Sequence, residues 1–165
     1  MMIRTATTAD WLQIWPFFAR IVADGETYAY PPDLTAESGQ TLWLEKPPGQ
    51  TVVAAEGSGA DSIILGTAKM GPNRAGRGAH VATASFMINP AHQGKGVGRA
   101  LGEYVLTWAR DAGYHSMQFN AVVETNASAV HLWQALGFEI LTTVPEAFDH
   151  PTHGLVGLHV MCQRL

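Results

Sequence analysis

Between residues 84 and 112 the sequence changes character twice within thirty positions. An apolar run, Ala84-Ser85-Phe86-Met87-Ile88, leads into Gln93-Gly94-Lys95-Gly96-Val97-Gly98, and an amphipathic pattern follows from Arg99 to Ala112. The spacing predicts a strand, a glycine-rich turn and a helix, in that order. Three alternating glycines take away the side chains that would hold an anion off the main-chain amides. The unpaired N–H groups and positive end of a helix dipole then form an anion site. A nucleotide-containing cofactor is the ligand such a turn predicts.

Two other glycine motifs fail on particular residues. A P-loop needs Ser or Thr directly after its Gly-Lys pair, and Gly96 follows Lys95. A dinucleotide fingerprint starting at Gly94 needs a small residue where Arg99 stands, and an acidic residue at the end of the next strand. That region reads Gln118-Phe119-Asn120-Ala121.

The pattern that does match is Gln/Arg-x-x-Gly-x-Gly, through Gln93, Gly96 and Gly98. It resembles the coenzyme A pyrophosphate loop of the GCN5-related N-acetyltransferase (GNAT) family. A second segment, Asn126-Ala127-Ser128-Ala129-Val130-His131-Leu132-Trp133-Gln134-Ala135-Leu136-Gly137-Phe138, is similar to that family's Asn-x-x-Ala-x-x-Leu-Tyr-x-x-x-Gly-Phe. It lies downstream by one helix and one strand, as the family requires.

The bulk properties suit one domain spanning residues 1–165. Apolar content of 47% with 15% charged residues predicts a packed globule. A net charge of −4, with basic residues scattered, argues against nucleic acid or an anionic membrane as partner. Cys162 is the single cysteine, so no intrachain disulfide forms, and it reads as a packing residue in a C-terminal strand. The start, Met1-Met2-Ile3-Arg4-Thr5, has no signal-peptide core, and Ile14 to Ala23 is too short to span a bilayer. A cytoplasmic location is the expectation.

Along the chain, Met2 to Thr7 reads as a strand. A helix carrying Trp11, Trp15, Phe18 and Val22 follows, kinked at Pro16 or starting near Trp15, and it ends at Gly25. After the loop Glu26 to Asp33, Thr35 starts a helix that stops before Pro47-Pro48. Strands at Thr51 to Glu56 and Ile63 to Met70 flank a turn from Gly57 to Asp61. Ala79 to Ile88 enters the glycine turn, and Gly113 caps the helix after it. His115 to Val123 is a strand and Asn126 to Leu136 a helix. Phe138 to Val144 and Val156 to Arg164 pair across a Pro- and His-rich loop. The order β-α-α-β-β-β-α-β-α-β-β fits no doubly wound fold. It matches what the resemblance implies: an α/β GNAT acyl-CoA N-acyltransferase fold. That fold has a mixed, mostly antiparallel sheet of about seven strands, a parallel, splayed central pair, and about four flanking helices.

The resemblance further implies acetyl-CoA as co-substrate, with its pantetheine arm between the splayed strands. Cofactor contacts are then expected from Met87, Ile88, Gln93, Gly94, Lys95, Gly96, Val97, Gly98, Arg99, Asn126 and Trp133. Carbonyl polarisation would come from a main-chain N–H near Met87 or Ile88. In many members a tyrosine that protonates the departing thiolate stands where Trp133 is, and indole cannot do this. Trp133 reads instead as a packing residue.

Three residues are candidates for catalysis. Glu124, at the end of the strand facing the gap, and Glu26, in the loop after the first helix, could each take the amine's proton, directly or through water. Asn120 falls in an apolar strand, where a buried amide needs a partner such as a substrate group. Tyr28, Tyr30, Thr83 and Ser85, together with Asn120, are the candidate acceptor contacts. Asn126 can also cap its helix. His92 is the histidine nearest the glycine turn. Asp149-His150-Pro151-Thr152-His153 invites a metal, but Pro151 keeps the histidines off one helical face and no third ligand has suitable spacing. A loop is the better account, and no metal is expected. The sequence therefore predicts an N-acetyltransferase acting on a small-molecule amine, an amino acid or an analogue. A non-catalytic acyl-CoA-binding module and a protein N-terminal or lysine acetyltransferase stay open as alternatives. The C-terminal strands offer edges for a homodimer.

Overall fold

A computed structural model describes residues 1–57 and 62–165. Its elements run β1 (Met2–Thr5), α1 (Trp11–Asp24), α2 (Ala36–Trp43), β2 (Gln50–Glu56), β3 (Ile63–Pro72) and β4 (Val81–Ile88). They continue as α3 (Val97–Asp111), β5 (Ser116–Val123), α4 (Ala127–Ala135), β6 (Glu139–His150) and β7 (Gly154–Arg164). The turn expected from Gly57 to Asp61 lies, apart from Gly57, outside the described residues.

The strands form one seven-stranded sheet in the order β1-β2-β3-β4-β5-β7-β6. All neighbours are antiparallel except β4 and β5, whose pairing is limited to Val81 with Ser116 and Ala82 with Met117. Beyond those residues the two strands part. This is the mixed sheet with a splayed parallel pair that the resemblance implies.

Helices cover both faces because the inner strands are apolar on both. In β2, Val52 and Ala54 join the cluster under α3 and α4, while Val53 points into the cluster under α1 and α2. In β4, Ala82 belongs to the first cluster and Met87 to the second. Two cores therefore sit back to back. One is built on Leu101, Val105, Phe119 and Trp133, the other on Ile14, Phe18 and Trp43.

Two expectations need correction. Helix α1 starts at Trp11, after a 3-10 turn over Thr8–Asp10 and not near Trp15, and continues unbroken past Pro16. The ring removes one N–H bond in an early turn, on the exposed side, while Trp11, Ile14, Phe17 and Phe18 bury the other face. The second correction is at the C-terminus, where the expected loop is mostly strand. β6 continues to His150, so Pro151, Thr152 and His153 alone make the connection. β6 is the sheet edge, where Pro145 has no inner neighbour to bond. The register also shifts between Val144 and Phe148, with Glu146 at φ 52°, as in a bulge.

Candidate active site

The glycine turn begins with a 3-10 turn over Pro90–His92, where the Asn89 side chain accepts from the Ala91 N–H. Gly94 and Gly96 both have φ of +77°, the left-handed region that other residues enter only with strain. A Cβ at either would meet nothing within 4 Å, so main-chain conformation rather than crowding selects glycine there. Gly96 is the N-cap of α3 and accepts the first helical bond from the Ala100 N–H at 3.0 Å. The N–H groups of Val97, Gly98 and Arg99 are therefore free of helical acceptors.

Gly98 is glycine for another reason. It is already helical, and a Cβ on it would lie 3.3 Å from Leu132 Cδ2. Gly102, one turn on, would place a Cβ 2.6 Å from Leu136 Cδ1. Small residues let α3 approach α4. The Val97 side chain is buried in the core, leaving only its N–H for a ligand. Gln93, Lys95 and Arg99 are exposed; Lys95 Nζ lies 3.4 Å from His92 Nδ1, and Arg99 pairs loosely with Glu103 at 3.7 Å.

Where β4 and β5 part, a cleft of about 330 Å³ opens. Its walls come from the α1–α2 loop, β4, β5, α4 and the C-terminal hairpin. Tyr28, Tyr30, Thr83, Ser85, Asn120, Asn126 and Trp133, each expected at the site, all line it. Thr27, Phe148 and Leu158 line it too, and the sequence reading missed them. Phe148 was hidden because its segment looked like a loop.

The Tyr28 hydroxyl donates to the Phe86 carbonyl at 2.7 Å and accepts from the Phe86 N–H at 3.0 Å. The Asn89 N–H goes the other way, to Leu65 on β3. Strand alternation then turns the Met87 N–H toward β3 and the Ile88 N–H toward the open side. Met87, with its side chain 1% exposed beneath α1 and α2, thus has nothing to offer a ligand in the gap; Ile88 has a donor there. Burial pushes the Tyr28 hydroxyl well above its ordinary pKa and, with nearby Glu45, lifts that of Tyr30 to about 12. Both are neutral at any working pH.

Trp133 is 7% exposed and packs on Phe86, Phe119 and Phe138, with ring centroids 4.6, 4.9 and 6.2 Å away. It is a wall of the cleft built into the core. The Asn126 side chain accepts from the Ala129 N–H at 3.3 Å and so caps α4 while also lining the cleft.

Asn120 was expected to be buried; it is exposed. β5 has left β4 by this point, and its register against β7 shifts between Phe119 and Val122. The side chain instead joins a small amide network. It donates to Asn73 Oδ1 at 2.6 Å and accepts from Gln118 Nε2 at 2.8 Å. Asn73, in the β3–β4 connection, carries no sequence signal for this role.

Neither candidate base faces the cleft. Glu124 turns its carboxylate to the Gly157 N–H of β7, tying the end of β5 to the hairpin. Glu26 is exposed and precedes the lining residue Thr27. Neither carboxylate is among the residues that line the cavity, although each adjoins a run that does, Thr27 to Tyr30 and Phe119 to Val123. In the C-terminal hairpin, His150 is buried and its Nδ1 accepts from the Thr152 N–H at 3.2 Å. Among the described residues, no group of three or more His, Cys, Asp or Glu side chains could hold a metal ion. No helix among them is long and apolar enough to cross a membrane.

A parallel pair that separates beside a left-handed glycine turn is the arrangement that the resemblance implies, and comparison with known proteins places the chain in a family. Residues 11–138 match the family model described as Acetyltransferase (GNAT) family, and the chain belongs to that family. It is 32% identical over 150 residues to the L-amino acid N-acyltransferase MnaT of Escherichia coli, covering 88% of this chain and 84% of that one. It is 31% identical over the same length to the L-methionine sulfoximine/L-methionine sulfone acetyltransferase of Salmonella typhimurium, with the same coverage. The N-acetyltransferase aca1 of Schizosaccharomyces pombe is 37% identical over 75 residues, and the match spans 46% of this chain but only 36% of that protein. Among solved structures, a GCN5-related N-acetyltransferase from Kribbella flavida is 55% identical with a TM-score of 0.94, over 99% of this chain and 97% of that one. The yncA protein of Salmonella typhimurium, solved with its cofactor acetyl-CoA, is 25% identical with a TM-score of 0.81, over 100% and 94%.

Proposed function

We propose that this chain is an acetyl-CoA-dependent N-acetyltransferase that acylates the amine of a small amino-acid-like molecule by direct transfer in a ternary complex. The observation that carries this reading is the parting of β4 and β5 after two paired positions, directly upstream of the Gly94–Gly96 turn. The kinship with amino-acid N-acyltransferases supports the acceptor class.

The residues fit the co-substrate. Left-handed glycines without Cβ atoms and the free N–H groups of residues 97–99 suit a pyrophosphate. Acetyl-CoA supplies the activated acyl group. The Ile88 N–H, open to the gap, is the main-chain donor for a developing oxyanion, a contact that stabilises such a charge by about 3 kcal/mol. Thr83, Ser85 and Asn120 orient the acceptor, and Tyr28 and Tyr30 cover it. Glu26 and Glu124 have no part in this assignment. A homodimer through the open edge of β6, where Ile140, Leu141 and Val144 are exposed, belongs to the same reading.

The test is thiol release from acetyl-CoA, followed with a chromogenic disulfide across amino acids, amino-acid amides, proline analogues, glutamate-like herbicides and polyamines. Saturable release with one chemical group of acceptors is expected. Silence across the panel, with acetyl-CoA bound tightly, would overturn catalysis on small amines.

A further inference from the structure

The acceptor cleft is almost free of charge. Among the described residues of its lining, the ionisable side chains are Tyr28 and Tyr30, both neutral at working pH. Neither β4 nor β5 contains a single Asp, Glu, Lys, Arg or His. Ionisable groups on the surrounding elements are outside the lining. Glu26 and Asp33 of the α1–α2 loop are exposed, as are His131 of α4 and Asp149 of β6. Glu45, whose charge reaches Tyr30, is outside the lining and paired with Lys69 Nζ at 3.2 Å. Glu124 is held by the Gly157 N–H, His159 by the Thr143 hydroxyl at 2.7 Å, and His150 by Thr152. A cation linked to the lining through hydrogen bonds is Arg74, which donates to the Asn73 carbonyl at 2.9 Å and to Asn73 Oδ1 at 3.1 Å. It thus shares Asn73 Oδ1 with Asn120 and is itself exposed, outside the lining.

These surroundings set the charge of what can bind. An ammonium taken from water into a site without a carboxylate loses hydration worth several kcal/mol. A cation–π contact with the stacked rings of Tyr28 and Tyr30, 5.2 Å apart, would return only about 0.5–2 kcal/mol. A carboxylate meets the same difficulty with no cation in the lining. What the walls do offer is neutral hydrogen bonding from Thr83, Ser85 and Asn120, and apolar surface from Phe148, Leu158 and the tyrosine rings.

Resting on the reading of this chain as an N-acetyltransferase, we infer that its acceptor is a weakly basic amine with an apolar body, taken up as the free base. Its carboxyl group is masked or absent, and no side chain of the protein removes its proton. The balance closes without a protein group. The amine nitrogen loses one proton as its N–C bond forms, the thiolate released by C–S cleavage gains one, and water carries it. Selectivity then follows ionisation. An α-amine of pKa about 7.7–8.0 and an alkylamine of pKa about 10.4 differ roughly 300-fold in free base at pH 7.

The experiment measures kcat/KM between pH 6 and 10 for phenylalanine amide, phenylalanine and 2-phenylethylamine, which share one apolar body. For each, log kcat/KM should rise with unit slope and level off at the acceptor's own pKa. At pH 7 the amide should exceed free phenylalanine by at least tenfold. One inflection common to all three would reveal a protein base and overturn the inference. Faster transfer to free phenylalanine than to its amide would do the same, by revealing a cation within reach. So would transfer to polyamines or glutamate-like acceptors but to none of the three. Failure of the acetyltransferase reading itself looks different: no thiol release with any amine, although calorimetry shows acetyl-CoA bound.

Discussion

The two ends of the cleft are built from different parts of the chain's chemistry. At the glycine turn the main chain forms the site, with two left-handed glycines, a helix start and free N–H groups within six residues of sequence. At the end proposed for the acceptor, side chains converge, and they come from far apart. Tyr28 reaches Phe86 across 58 positions and Asn120 meets Asn73 across 47. A site made of main chain tolerates changes in its side chains but not in its dihedral angles. One made of converging side chains can be retuned one residue at a time. The first suits a ligand common to a whole family; the second suits an acceptor that varies among its members.

The sharpest way to break this contrast is at Gly96. Gly96→Val forces a β-branched residue to φ +77° at the N-cap of α3. Left-handed strain of about 1–2 kcal/mol, plus lost hydrogen bonds to a charged group at about 1.5–3 kcal/mol, predicts a rise in the acetyl-CoA dissociation constant of 100-fold or more. Calorimetry should show this while the acceptor KM changes little. Gly98→Ala provides the counterpart, because its Cβ would press on Leu132 and cost packing rather than a dihedral. A similar loss of cofactor affinity from both would erase the distinction.

A second prediction concerns a region that serves neither end. Arg4 holds Asp10 through two hydrogen bonds of 2.7 Å, and Thr7 adds its N–H. These bonds, against the desolvation of a largely buried carboxyl, lower the Asp10 pKa to about 2. A depressed carboxylate stabilises the fold above its unfolded pKa and loses that contribution as pH falls toward the folded value. Between about pH 4 and pH 2 the protein should therefore lose roughly 2 kcal/mol from this group. Asp10→Asn should remove a similar amount at pH 7 in denaturant unfolding, with both KM values unchanged. A change in either KM would show that β1 and α1 communicate with the cleft.

The same contrast explains what could be read in advance. Gly94 and Gly96 are visible in the sequence because glycine is nearly the only residue that adopts their backbone conformation, and the Asn126 cap is visible because its function is local. Gly98 was legible as a position but not as a cause; its packing on Leu132 depends on a helix 30 residues later. Strand β6 was cut short at Pro145 because a proline stops an inner strand, and nothing local says that this one is an edge. The amide pair of Asn73 and Asn120 and the main-chain grip of Tyr28 on Phe86 are long-range contacts between segments with no shared pattern. Glu124 drew attention because it ends a strand beside the gap. Its side chain goes to Gly157 because the register with β7 brings that N–H within reach.

At the acceptor end the effects should be smaller and confined to the acceptor. Asn120→Ala removes its bonds to Asn73 and Gln118 and whatever it offers the amine. At about 1 kcal/mol per hydrogen bond, the acceptor KM should rise five- to tenfold while the acetyl-CoA KM holds. An equal rise in both would mean that Asn120 supports the splay of the strands instead of the bound amine.

The smallest effect should come from Glu26→Gln. Its carboxylate is exposed and outside the lining, so kcat/KM should stay within about twofold of the unaltered protein, the range usual for surface changes. The pH profile is the more discriminating readout. If a protein carboxylate took the amine's proton, removing it would lower kcat and shift or abolish an inflection that does not depend on the acceptor. An unchanged profile leaves the acceptor's own ionisation in control and keeps the acceptor end as it is built, from neutral groups. A profile that collapses would mean that the α1–α2 loop closes over the bound amine and carries Glu26 inward. The acceptor end would then be assembled by its ligand, while the cofactor end, fixed by its main chain, is assembled beforehand.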